Sequence, residues 1–130
     1  MKTVAIVEDE DSIALALRVL MEREGFAPQR YADGAEAVAA MSEAAPDLLL
    51  LDVGLPGLGG FAVCEALRRQ PAFGQAPILM MSAAAGAHAA ERAKAAGADD
   101  FLVKPFDARD LVARVRALMA RDAGGEARHG

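Results

Sequence analysis

Tryptophan is absent from this 130-residue chain, and five Phe and one Tyr are its only aromatics. A core must therefore come from Ala, Leu, Val, Ile and Met, and with 54% hydrophobic residues the chain is expected to fold. Only one cysteine is present, Cys64. That excludes an intrachain disulfide and is compatible with a reducing compartment. Cys64 lies in an apolar helical pattern, which suits a plain buried thiol better than a reactive one. Positive charge is also scarce: the formal net charge is −5, which argues against an isolated domain gripping nucleic acid or an anionic membrane by charge. No apolar stretch approaches the roughly 18 residues of a membrane span, and no signal-like segment opens the chain. The expectation is one soluble, cytoplasmic domain, since 130 residues leave room for one real core and not two.

What is present is a set of four short apolar runs, each ending on a polar residue suited to phosphate or metal. Val4-Ala5-Ile6-Val7 runs into Glu8-Asp9, and Leu48 to Leu51 runs into Asp52. Ile78-Leu79-Met80-Met81 ends on Ser82, and Phe101-Leu102-Val103 on Lys104-Pro105. Such runs, separated by helix-like segments, read as parallel strands buried on both faces of an α/β sheet. In open α/β sheets the ligand crevice lies outside the carboxyl ends of the strands. The pattern thus gathers three carboxylates, a hydroxyl and an ammonium at one sheet edge.

The rest of the chain fills in around those runs. Asp11 or Ser12 is expected to cap a first helix, with Gly25 as its stop. A weak strand around Phe26 to Tyr31 carries Pro28, which marks an edge strand. Asp33-Gly34 leads into an Ala-rich helix through Met41. Val53 to Gly60 is too glycine-rich for regular structure. A helix bearing Phe61, Cys64 and Leu67 follows, then a loop from Pro71 to Pro77 and a weakly apolar helix from Ala83 to Ala96, stopped by Gly97. Asp107 with Asp110 resembles a capping box for a last helix, Ala108 to about Arg121. Residues 1–122 form the expected domain, and 123–130, without periodicity, read as a flexible tail or linker start.

Each polar group has an ordinary explanation alone. Glu8-Asp9 could simply favour the next helix N-terminus, and Ser82 or Lys104 could be solvated loop ends. Asp52 is harder to dismiss, because an acid directly after four leucines needs a partner if its charge is buried. Together the groups make one machine. Clustered carboxylates repel one another, which a hard divalent cation with oxygen ligands relieves; Mg2+ fits. A carboxylate nucleophile needs its donor's phosphoryl oxygens neutralised, which a metal and a lysine can do. Ser82 can hydrogen-bond a further phosphoryl oxygen, and Gly54, lacking a Cβ, is expected to let its carbonyl approach a metal. The product would be an aspartyl phosphate on Asp52.

These motifs, Val7-Glu8-Asp9-Glu10, Leu50 to Gly57, Met81-Ser82-Ala83 and Asp100 to Phe106, resemble the receiver domain of two-component response regulators over residues 2 to 121. The resemblance implies a flavodoxin-like, doubly wound (βα)5 fold with a five-stranded parallel sheet in order 2-1-3-4-5. It implies Asp52 as phosphoacceptor, Mg2+ on Asp9, Asp52 and the Gly54 carbonyl, and Glu8 acting through a metal-bound water. Ser82 and Lys104 would bind the phosphoryl group, with Ser82 and Phe101 forming the switch. The implied donor is a sensor histidine kinase or histidine phosphotransfer protein. The chain would be a signalling switch and not an enzyme, though it assists its own phosphorylation and dephosphorylation. Its output face would be the fourth helix, fifth strand and fifth helix. There Arg92, Asp99, Asp100, Asp110 and Arg114 suit a homodimer formed on phosphorylation.

The last third is most similar to receivers of the winged-helix transcription-factor class. The residues present contain no DNA-reading helix, so a stand-alone regulator and the receiver of a longer one both stay open. An aspartate-nucleophile phosphatase of the haloacid dehalogenase type would carry a second Asp at position 54, where this chain has Gly. A flavin module would want a Ser/Thr/Gly-rich loop where Glu8 to Asp11 stand. Small residues at Ala84 and Gly54 imply slow self-dephosphorylation, since neither orients an attacking water.

Overall fold

The structure, a computed structural model, describes residues 1–83 and 87–129, with side chains described up to Arg121 except at Ala87. Strands and helices alternate five times: β1 Thr3–Val7, α1 Asp11–Arg23, β2 Ala27–Tyr31, α2 Gly34–Met41, β3 Leu48–Asp52, α3 Gly60–Arg68, β4 Ile78–Ser82, α4 Ala87–Ala96, β5 Asp100–Val103 and α5 Ala108–His129. The five strands form one parallel sheet in order β2-β1-β3-β4-β5, as expected. Pro28 sits on β2, an edge strand, where a missing N–H is tolerated.

The period-2 alternation of the strands divides the core. Ala5, Val7, Leu49, Leu51, Ile78 and Met80 pack with Val63, Cys64 and Leu67 of α3 on one face. Val4, Ile6, Leu48, Leu50, Leu79 and Met81 pack with Leu17 and Met21 of α1 and Leu111, Val115 and Leu118 of α5 on the other. Every residue of β3 and β4 is buried, which is why those runs are continuously apolar. Cys64 is buried as expected, its Sγ donating to the Ala96 carbonyl at 3.3 Å.

Helix ends show where local signals held and where they did not. Asp33 caps α2, its Oδ1 accepting from Ala35 N at 2.7 Å, and Gly25 at φ +86° follows the end of α1. Asp11 does not cap α1. The N-cap is Glu10, without a side-chain bond, and Asp11 lies in the first turn paired with Arg30. The box expected on α5 is only half formed. Asp107 accepts from Arg109 N at 2.7 Å, while Asp110 turns to Arg114 one turn on. Helix α5 continues past Arg121 to His129, beyond the end expected near Arg121. Ala83 is a bend outside α4, and Ala84 lies outside the described residues. No helix among the described residues is long and apolar enough to cross a membrane.

Candidate functional site

The carboxyl ends of β1, β3, β4 and β5 converge at one edge of the sheet. Register does the positioning: Val7 pairs Leu51, Asp52 pairs Met81, and Ser82 pairs Val103. Glu8, Asp52, Ser82 and Lys104 thereby reach one edge, although 96 residues separate the first from the last. Lys104 N donates to Ser82 O at 2.7 Å, which extends the β4–β5 pairing one residue past the strand. The Lys104–Pro105 bond is cis.

Glu8, Asp52 and Ser82 are the buried polar residues of the chain's described part. The Lys104 ammonium donates to Glu8 Oε1 at 2.7 Å and to Asp52 Oδ1 at 3.0 Å. Burial is the largest influence on Glu8 and raises its pKa, against the opposing hydrogen bonds from Lys104 and Glu10 N. Burial alone would lower the Lys104 pKa, but bonds to Glu8 and Asp52 outweigh it and the net shift is upward. Lys104 therefore stays an ammonium, and the repulsion expected among the carboxylates is partly offset within the chain.

One carboxylate oxygen from each of Glu8, Asp9 and Asp52 lies within 4.8 Å of the others. Asp9 is exposed and the other two are buried, so the cluster opens to solvent on one side. Three anionic oxygen donors in that space suit a hard divalent cation. The expected reason for glycine at 54 is not supported. A Cβ there would meet only Asp52 Oδ2, at an ordinary 3.8 Å, and the residue is not at positive φ. Any residue type offers a backbone carbonyl, so glycine is not required at that position.

Two glycines nearby are required, and the sequence reading passed over them. A Cβ on Gly60 would lie 2.4 Å from the Asp52 carbonyl oxygen, and one on Gly34 would lie 2.6 Å from the Leu58 carbonyl oxygen. Bare backbone at Gly60 lets the start of α3 rest directly on the end of β3. Arg30 was also missed. Its guanidinium binds the loop after β1, yet an arginine on an edge strand reads from sequence as ordinary edge protection.

The residues expected on the output face are only partly there. Asp100 and Asp110 both pair with Arg114 of the same chain, at 2.8 and 3.1 Å. Asp99 is a structural hub: it accepts from Arg68 at 2.9 Å and Ile78 N at 2.8 Å, and also pairs with Arg121. Arg92 belongs elsewhere. It stacks 4.2 Å from the Phe61 ring centre on the α3 side of α4. Ala90 and Lys94, one turn apart, border the groove toward β5 and Arg121, and Arg92 lies between them in sequence, about 200° round the helix. Phe101 is half-buried and packs against the core cluster on the α3 side of the sheet.

A model of the response regulator receiver domain matches residues 4–116. The chain belongs to the response regulator receiver domain family. It is 42% identical over 118 residues to the phosphate regulon transcriptional regulatory protein PhoB of Rhizobium meliloti, covering 91% of this chain and 52% of that protein. It is 39% identical to the sensory transduction protein RegX3 of Mycolicibacterium smegmatis, covering 97% and 54%. The chain thus spans about half the length of these relatives. Among solved structures, chemotaxis protein CheY4 of Vibrio cholerae superposes with a TM-score of 0.85 at 31% identity, covering 91% of this chain and 98% of that one. The receiver domain of sensor histidine kinase PA1611 of Pseudomonas aeruginosa superposes at 0.84 with 26% identity, covering 92% and 98%. That structure holds a magnesium ion in its active site cleft. As a receiver domain, the chain is a phosphorylation-dependent signalling switch, and the haloacid dehalogenase-type alternative is not favoured.

Proposed function

We propose that Asp52 is the phosphoacceptor and that the donor is a phosphohistidine of a sensor histidine kinase or histidine phosphotransfer protein. The observation that supports this best is the bridge from Lys104 to Asp52 Oδ1 beside an acidic cluster. An Asp52 carboxylate oxygen attacks phosphorus, the P–N bond breaks, and the imidazole nitrogen takes a proton as it leaves. The product is an acyl phosphate on Asp52, so the chain is itself the substrate and not an enzyme acting on others. Asp9, Asp52 and the Gly54 carbonyl would hold Mg2+ directly, and Glu8 through a water. When bound, Mg2+ would neutralise phosphoryl oxygens during transfer. Lys104 supplies a second positive charge from the end of β5, and Ser82 contributes a hydroxyl at the end of β4.

The switch in this reading couples Ser82 to Phe101, and the output face is α4-β5-α5. A homodimer through that face on phosphorylation would use Asp99, Asp100, Asp110 and Arg114. Their intrachain pairs would have to exchange for pairs across a twofold axis. Residues 1–122 are the working domain, placed in the cytoplasm, and 123–130 are a tail or the start of a linker. DNA binding, where relatives have it, would belong to other residues. The test is labelling with acetyl phosphate and Mg2+: the wild-type chain is expected to take one phosphoryl group, and Asp52→Asn none. Full labelling of Asp52→Asn would remove the assignment.

A further inference from the structure

Arg30 projects from the edge strand β2 and uses two nitrogens on the loop that carries two of the acidic residues and a third on the first residue of α1. Nε donates to the Glu8 carbonyl at 2.9 Å, and Nη2 donates to the Asp9 carbonyl at 3.2 Å. Nη1 pairs with Asp11 Oδ1 at 3.0 Å. The same strand end also holds the loop by its backbone, since Glu8 N donates to Tyr31 O at 3.1 Å. Asp11 is 93% exposed and the Arg30 side chain 27%, so the clamp lies along the surface with its guanidinium turned onto the loop. A planar guanidinium holds its donors in a fixed, spread fork, whereas a lysine ammonium offers three donors from a single point on a flexible stem.

We propose that Arg30 is a positioning residue that sets the divalent-cation affinity of the Glu8, Asp9 and Asp52 cluster. It fixes the carbonyls of Glu8 and Asp9, and with them the direction in which both side chains leave the backbone. It also holds the Asp11 carboxylate in an ion pair with β2. Of the acids at positions 8, 9 and 11, the first two then join Asp52, and the third is occupied elsewhere. Outer partners of metal ligands act this way, by orienting groups they do not replace.

This inference rests on the reading that the cluster binds Mg2+, and the experiment separates the two. Calorimetric titration of the wild-type chain with Mg2+ alone comes first. No binding there overturns the reading of the site and the proposal with it. If the wild type binds, Arg30→Ala is expected to raise the Mg2+ dissociation constant about tenfold, the low end for outer-shell partners. Arg30→Lys keeps the charge and loses the fork, so it should recover only part of that loss. Melting with EDTA reports the metal-free fold of each variant. A lower melting temperature with an unchanged dissociation constant would make Arg30 merely structural and overturn the proposal. Tighter binding in Arg30→Ala would show that its positive charge, not its geometry, governs the site. Full recovery by Arg30→Lys would overturn the fork.

Discussion

Lys104 donates to Glu8 Oε1 at 2.7 Å from the far side of the sheet edge, and Glu8 is completely buried. The pair joins the loops after β1 and β5 and places an ammonium at the carboxylate cluster before any phosphate arrives. Lys104→Met is expected to cost about 3 kcal/mol at pH 7, the lower end for removing one partner of a buried ion pair. Glu8 has a raised pKa, chiefly by burial, and loses an opposing hydrogen bond in this variant. The sign follows: a folded pKa above the unfolded value stabilises at pH below both and ceases to as pH rises through the folded one. The cost should therefore shrink at pH 5. Urea melts at the two pH values check this, and an equal cost at both would count against the pairing.

Mg2+ is expected to raise the melting temperature, with a stabilisation that grows with the logarithm of its concentration once the site fills and reaches about 2.7 kcal/mol at a hundred times the dissociation constant. Asp9→Asn should reduce that gain more than Glu8→Gln, because Asp9 would ligate directly and Glu8 through water. A melting curve indifferent to millimolar Mg2+ would count against the site.

Gly60 and Gly54 should respond unequally to alanine. At Gly60 the new Cβ meets Asp52 O at 2.4 Å and Val53 Cα at 2.6 Å, both backbone, so a cost of about 1–3 kcal/mol is expected. At Gly54 the change should stay within about 0.5 kcal/mol, as for substitutions away from special features. Chemical denaturation of both variants measures the contrast. Gly54→Asn would put a polar group near Asp52 Oδ2 and should change the phosphate-release rate; an unchanged rate would remove this rationale for slow self-dephosphorylation.

Burial pushes the Cys64 thiol up to about 11. Its raised folded pKa means full stabilisation below the unfolded value near 9, lost progressively toward pH 11. Iodoacetamide at pH 8 should leave folded Cys64 largely unmodified, and Cys64→Ala should flatten the alkaline decline in melting temperature. Rapid alkylation of the native protein would contradict the packing against Ala96.

Arg114→Glu should abolish dimerisation in the presence of beryllofluoride, measured by sedimentation, because it faces Asp100 and Asp110 with a like charge. The wild-type dimer should form chiefly in the activated state, since activation shifts an existing equilibrium. An intact dimer in this variant would exclude the α4-β5-α5 face as the interface.

The residue order by itself determined the parallel sheet and its chemistry. Runs such as Leu48 to Asp52 are apolar throughout because both faces are covered, and their polar ends mark one edge in any α/β sheet. Gly25 and Cys64 were legible because a left-handed stop and a thiol in an apolar helical pattern depend on local chemistry, whereas the Asp33 cap reads in sequence only as a turn. Tertiary structure alone decided the partners of long polar side chains. Arg30 and Glu8 are 22 residues apart and Arg68 and Asp99 are 31 apart, distances that no helical or strand period encodes. It also decided Gly60, whose requirement comes from the Asp52 backbone pressed against it. Helical phase turned Arg92 toward Phe61 and away from the face its charge suggested. Periodicity tells which side of an element is buried; only the packed chain fixes where a flexible cation ends.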